Sequence, residues 1–222
     1  MGTLGEAGEE IAPNLIKITA GPVAHGSLAR TGQKTIAITT GQGTSTATTS
    51  EVVSFTEIRY VERDSGNIFA YDLDERSLAR ISNRTLPGIQ EASWSRDGST
   101  AFLRFLSENE GGEQSIDTFA LPVGEEGGYF LESGLDQVLV SGSSTVITLL
   151  PSSTGSIATS ARIDGTNAKT YFSSTLSSLR LSPAGTGVAA FTKASAQTDG
   201  FGFMVNSGGT FTRLLGPLRG LT

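Results

Sequence analysis

One recurrence limits what this chain can fold into. A polar residue interrupts short apolar runs at a nearly constant interval. Arg59 sits in Ile58-Arg59-Tyr60-Val61, Arg104 in Leu103-Arg104-Phe105-Leu106, Thr148 in Ile147-Thr148-Leu149-Leu150, and Thr192 in Phe191-Thr192-Lys193, spaced 45, 44 and 44 residues apart. Turn signals follow three of these positions by 15 or 16 residues, at Asp74-Glu75, Asp164-Gly165 and Gly208-Gly209. The fourth, near Glu125-Glu126-Gly127, comes late, and the extra polar loop Ser107–Glu113 accounts for the delay. Gly in such a turn supplies the positive φ that a tight hairpin needs. The runs between turns are short and rich in β-branched and aromatic residues, while no long window keeps a helical spacing of apolar residues. A unit of about 44 residues is therefore four antiparallel strands, which cannot cover both faces of its own sheet and must stack on neighbours. The expected fold is all-β, a β-propeller of four-stranded antiparallel blades, about four of them in this chain. A two-sheet sandwich or a β-solenoid is the alternative.

A second element precedes the interrupted strand. Ala92-Ser93-Trp94-Ser95-Arg96-Asp97-Gly98 stands before the Arg104 run, and Leu179-Arg180-Leu181-Ser182-Pro183-Ala184-Gly185 before the Thr192 run. Gly98 and Gly185 are 87 residues apart, two periods. These segments, followed by Ala101-Phe102-Leu103 and Val188-Ala189-Ala190-Phe191, resemble the W-S-P-D-G-x-x-I-A-F signature of TolB-type, WD-repeat-like propellers. Arg96 replaces the usual Pro in the first, and Ala184 the usual Asp in the second. On this resemblance Trp94, Asp97, Gly98, Ser182, Pro183 and Gly185 are structural blade residues. The stretch Arg59–Phe69 with Arg80–Thr85 is also similar to uncharacterised surface or secreted propellers of candidate-phylum bacteria. Neither likeness fixes a function, because propellers host binding, scaffolding and many enzymes.

The register places blades near 48–90, 91–134, 135–176 and 177–216. Residues 1–10 read as a flexible leader, 11–47 as extra N-terminal strands, and 217–222 as a tail or the truncated start of a next blade. On this reading the chain is part of a larger propeller of about five to eight blades, with a closed four-blade ring as the alternative. Open sheet edges would make edge-mediated self-association a hazard. The start has no basic region followed by an apolar core, so it does not read as a signal peptide. No run approaches a membrane helix, and no membrane insertion is expected.

Composition narrows the chemistry. The formal net charge is −6, which disfavours nucleic acid as a partner. Cys is absent and His25 is the single His, so disulfides, thiolate metal sites, Cys nucleophiles and His clusters are excluded. The missing Cys fits a secreted, cell-surface or periplasmic protein. G-x-S-x-G, H-E-x-x-H, the calcium-loop pattern and the phosphate-binding glycine motifs are all absent. Ser45 and Gly41-Gln42-Gly43 lie in a low-complexity loop. Asp72 and Asp74 share one strand face at a hairpin and read as a solvated turn rather than a calcium site. Glu57, Glu62, Glu91 and Asp136 fall near strand ends, where a propeller glycosidase would keep its carboxylates. No catalytic residue, metal site or cofactor is expected. Arg59 and Arg104 are the candidate contacts for an anion or partner, on a channel wall. A buried Arg must be paired, and Glu57, Glu62, Glu91 or Asp117 are the available carboxylates. Trp94 reads as packing between blades, and Asn83-Arg84-Thr85 as a glycosylation sequon. The expected function is a non-enzymatic extracytoplasmic scaffold or binding module for protein or polysaccharide. The propeller of a larger hydrolase, a peptidase or glycosidase, is the alternative.

Overall fold

A computed structural model describes residues 3–4, 9–12, 15–40, 47–82, 84–108, 111–124, 127–142, 144–195 and 197–219. Ser45, Gly41, Gly43, Asn83 and the Glu125-Glu126 pair lie outside the described residues. Among the described residues there is no helix. The chain divides into two units, Met1–Ile89 and Gln90–Thr222.

The first unit contains β1 (Thr3–Leu4), β2 (Glu9–Ala12), β3 (Leu15–Lys17), β4 (Leu28–Thr40), β5 (Ala47–Val61), β6 (Ile68–Asp72) and β7 (Ser77–Arg80). Strands β4 to β7 form an antiparallel meander, and β1 adds beyond β7. Thr3–Leu4, in the segment expected to be a leader, thus covers an edge that would otherwise leave peptide groups unpaired. Residues 28–40, read from sequence among extra N-terminal strands, are the first strand of this sheet. The β4–β5 register runs unbroken from Leu28↔Arg59 to Thr40↔Ala47. Pairing of β5 with β6 covers only Glu57–Val61. Beyond Glu57, β4 and β5 therefore pair only with each other within the sheet. Strands β2 and β3 form a separate hairpin.

The second unit is three successive meanders. The first joins β8 (Ile89–Trp94), β9 (Thr100–Glu108), β10 (Gln114–Pro122) and β11 (Tyr129–Phe130). The second joins β12 (Gln137–Ser141), β13 (Thr145–Ser152), β14 (Gly155–Arg162) and β15 (Lys169–Ser174). The third joins β16 (Leu179–Ala184), β17 (Gly187–Thr192), β18 (Gly200–Val205) and β19 (Phe211–Leu218). Residues 217–218, read from sequence as tail, continue the last strand, where Leu218 pairs with Gly200.

The run Val146-Ile147-Thr148-Leu149-Leu150 shows why the sheets stack. Val146 joins a core with Phe102, Ala120, Leu135 and Val138, against the preceding sheet. Ile147 and Leu149 join Leu179, Leu181, Val188, Ala190 and Val205, against the following one. A strand with apolar residues on both faces belongs to a sheet covered on both sides. A two-layer sandwich would leave one face of it to water.

Polar clasps repeat across these seams. Tyr129 Oη donates to the Ile163 carbonyl at 2.7 Å, and Tyr171 Oη to the Val205 carbonyl at 3.1 Å, each spanning 34 residues. Desolvation of the phenol pushes the Tyr129 pKa up to about 12. Gly165 lies against that ring, where an added Cβ would come within 2.9 Å of it. Gln137 makes a two-pronged contact with Leu181: its Nε2 donates to the Leu181 carbonyl and its Oε1 accepts from the Leu181 N–H, both at 2.8 Å. The side-chain amide thus takes the place of one more residue in a β-ladder.

Candidate functional site

The motif turns are built as compact loops. Between β8 and β9, Gly98 N–H donates to the Ser95 carbonyl at 2.8 Å, with Gly98 at φ 72°. Ser95 Oγ accepts from Thr100 N–H at 2.9 Å. The Asp97 carboxylate accepts from Ser99 N–H at 3.1 Å and Ser99 Oγ at 2.9 Å. Partial burial works to raise the Asp97 pKa, but the Ser95 and Ser99 hydroxyls and the Ser99 N–H hold it below its ordinary value. A carboxylate that accepts local N–H and O–H bonds fastens its own turn. The second copy of the motif ends β16, with Ser182 and Pro183 exposed and Gly185 at φ 58°. Ala184 stands there in place of the carboxylate. Trp94 is buried at the end of β8.

Arg59, Arg104, Thr148 and Thr192 all lie on the second strand of their meanders. They do not share one facing. Arg104 is 8% exposed and turns toward the following sheet. Its Nη1 donates to Glu91 Oε2 at 2.7 Å, and its Nη2 to the carbonyls of Leu135 at 2.7 Å and Asp136 at 3.2 Å. Thr148 lines a 260 Å³ cleft with Tyr129, Leu131 and Glu132, so it faces the preceding sheet. Thr192 pairs with Leu179, whose side chain is in the core against the preceding sheet. Asp117 is not the partner of Arg104. It lies opposite Phe105, while Arg104 lies opposite Thr118, and neighbouring pairs in a ladder point to opposite faces.

Two charged clusters result. At the inner strands of the second unit, Glu91 on β8, Asp136 just before β12 and Arg180 on β16 repeat at intervals of 45 and 44 residues. Glu91 holds Arg104, and Asp136 Oδ2 lies 3.4 Å from Arg180 Nη1. In the first unit, Glu57 Oε1 accepts from Arg59 Nε at 2.6 Å and lies 2.8 Å from Arg30 Nε in a second ion pair. Arg30 also lies over the Phe55 ring, 5.2 Å from its centroid, a favourable cation–π position. Next to them, Lys34 Nζ donates to Glu75 Oε1 at 2.6 Å and Asp72 Oδ2 at 3.0 Å. These bonds, Glu75 first, raise the Lys34 pKa.

The Asp72-Asp74 hairpin has its oxygens engaged. Asp72 Oδ1 accepts from the Asp74 and Glu75 N–H groups at 2.9 and 3.0 Å, and Asp74 Oδ2 from Thr56 N–H at 3.0 Å. Partial burial acts upward on Asp72, but the Glu75 N–H, Lys34 and the Asp74 N–H keep its pKa below the ordinary value. Glu62 accepts a short hydrogen bond from Ser65 Oγ. His25 is exposed. Among the described residues no group of three His, Cys, Asp or Glu could hold a metal ion, and no helix is long and apolar enough to cross a membrane.

The sequence reading missed the Gln137 prong, the paired tyrosine clasps and Arg30. The clasps left a signal: Tyr129 and Tyr171 are 42 residues apart, and the turn glycines Gly165 and Gly209 are 44 apart.

No protein-family model matches the chain, and no curated protein sequence matches it. Among solved structures it is similar to an oligogalacturonate lyase in complex with manganese, with a TM-score of 0.52 and 10% identity over 71% of this chain and 50% of that one. Looser superpositions exist on TolB from Acinetobacter baumannii (TM-score 0.44, 18% identity, 80% of this chain and 50% of that one). A third is on the hydrazine synthase of Kuenenia stuttgartiensis (TM-score 0.43, 14% identity, 71% and 50%). The chain spans half the length of each of these structures. The lyase is a propeller protein. That likeness and the repeated four-stranded antiparallel sheets give this chain an all-β, propeller fold.

Proposed function

We propose that this chain is a non-enzymatic propeller module of the TolB type that binds a polysaccharide or protein partner outside the cytoplasm. One observation carries the reading. The carboxylates best placed for acid–base work are engaged by cations: Glu57 by Arg30 and Arg59, Glu91 by Arg104, and Asp136 by Arg180. Glycoside hydrolysis needs two carboxyl groups flanking one bond, one of them kept protonated as an acid. Here the carboxylates are turned to guanidinium groups. The accessible surface offers hydroxyls instead. A cleft of about 540 Å³ in the second unit has Thr175, Ser178, Ser195 and Thr198 in its lining, beside Lys193, Asp199 and apolar side chains. Such a lining matches a ligand rich in hydroxyl groups or peptide amides. The missing Cys fits an extracytoplasmic setting.

The test is affinity electrophoresis of the full chain in gels carrying soluble polysaccharides, beside a reducing-end assay on the same polysaccharides. Retardation without new reducing ends is expected. Turnover by the wild type that disappears in Glu91→Gln or Glu57→Gln overturns the reading.

A further inference from the structure

One face of the β9–β10 hairpin carries a group of side chains that neither the seams nor the ion pairs use. Phe105 and Asp117 are directly opposed across the ladder, as are Ser107 and Ser115 two residues farther along, so all four project from the same face. Hydroxyls meet the Asp117 carboxylate: Ser133 Oγ donates to Oδ1 at 2.6 Å and Ser107 Oγ to Oδ2 at 2.7 Å. Ser115 Oγ lies 3.1 Å from Ser107 Oγ and 3.2 Å from Ser133 Oγ, which closes the array. Beside it stands Phe130, which is 62% exposed. The ring is nevertheless held firmly, edge-on to Phe119 at 4.9 Å and to Phe105 at 6.4 Å between centroids. Its Cα partner in the ladder is Phe119, so it belongs to the same sheet face as Asp117.

An exposed aromatic ring fixed by two others, next to a carboxylate fixed by serines, is costly to leave in water and has a definite complement. The ring face accepts a flat apolar surface. The carboxylate and the serine oxygens retain lone pairs that accept O–H donors. A pyranose offers both: axial C–H groups on one side and hydroxyls around the rim. We propose that Phe130, Phe105, Asp117, Ser107, Ser115 and Ser133 form a sugar-binding platform for a neutral polysaccharide, with one pyranose ring stacked on Phe130 and its hydroxyls donating to Asp117 and the serines. An acidic sugar is disfavoured because its carboxylate would face that of Asp117. The serine hydroxyls, Ser133 first and then Ser107, keep Asp117 below its ordinary pKa, so the acceptor is ionised under ordinary conditions. Five of its six members sit on paired strands, and Ser133 lies in the turn after β11, where the Gly134 N–H donates to the Ile116 carbonyl at 3.0 Å. Pre-set geometry of this kind lowers the ordering cost of binding.

This inference rests on the binding-module reading and names its polysaccharide arm. The probes are soluble β-glucan, galactomannan and starch as neutral polymers, with polygalacturonate as the acidic comparison, each set in a native gel. The wild type is expected to be retarded by at least one neutral polymer and not by polygalacturonate. Phe130→Ala weakens that retardation by about tenfold, and Phe130→Tyr restores it. Asp117→Asn weakens it as well, and Ile116→Ser, on the opposite face of the strand, leaves it unchanged. Because Phe130 is exposed, its substitution does not threaten the fold, and unchanged melting curves confirm this. Retardation that survives Phe130→Ala overturns the platform while the binding-module reading stands. Absence of retardation by every neutral polymer overturns it too. Release of new reducing ends by the wild type overturns the binding-module reading independently of how Phe130→Ala behaves.

Discussion

The sheet of β4 to β7 and the seam between the sheets β12–β15 and β16–β19 solve one problem by different means. Both must fix strands in register. The first sheet does so on one face with charges: Arg30, Glu57 and Arg59 lie within hydrogen-bond reach, and Lys34 joins Asp72 to Glu75. The seam does so with Ile147, Leu149, Leu179, Val188 and Val205, all at most 4% exposed. Charge pairs are directional and tolerate water nearby, but salt screens them. Apolar interlock is indifferent to salt and intolerant of lost volume. The same strand arrangement can thus be fastened in ways that fail under different stresses.

Leu149→Ala is the strongest way to expose that difference. It opens a cavity in the seam and should cost about 2–5 kcal/mol, read as a lowered urea midpoint that added NaCl does not restore. Gln137→Leu comes next. It leaves the Leu181 N–H and carbonyl without their partners and should cost about 1–3 kcal/mol, with faster amide exchange at Leu181. Glu57→Gln should cost about 1–2 kcal/mol at low salt, since two guanidinium groups then face a neutral amide. That cost should shrink as NaCl rises. A cost that ignores salt would erase the distinction between the two regions.

Two smaller effects separate the regions by pH. Asp72, in the first sheet, has a folded pKa below its ordinary 3.8. Its contribution is present above 3.8 and is lost as pH falls through the lowered folded value. Asp72→Asn should flatten that acid limb in a series of melts. Tyr129, in the second unit, is shifted the other way, from 10.0 to about 12. Its contribution is complete below pH 10.0 and is lost as pH rises toward about 12, because the unfolded phenol ionises first. Tyr129→Phe should remove this alkaline loss and cost about 1 kcal/mol at neutral pH for the hydrogen bond to Ile163.

The repeat was legible because each unit spends close to 44 residues on four strands, and because the Gly98 and Gly185 turns keep their place in it. Facing was not legible, and the reason is arithmetic in the turns. Ser95 pairs across its turn with Thr100, Ser141 with Thr145, and Ala184 with Gly187. The loops differ by one residue each, and a shift of one residue in a strand reverses every side chain. Arg104 and Thr148 therefore share a sequence interval while pointing to opposite neighbours. The long β5 was only half visible, since Thr48-Thr49-Ser50-Glu51 has no apolar alternation to mark it. The Asp117 array escaped for another reason. Its serines come from three separate places in sequence, and nothing local sets them apart from the 27 serines of a Ser-rich chain.

The tyrosine clasps set an order of assembly. Tyr129 and Tyr171 each close on a carbonyl 34 residues later in the chain. A sheet in this unit can complete its own ladder as soon as its fourth strand has been synthesised, but its outermost tyrosine has nothing to grip until the hairpin of the following sheet exists. During synthesis, therefore, the partner of Tyr129 is made before the partner of Tyr171, and neither clasp can close until the hairpin of the following sheet has been added.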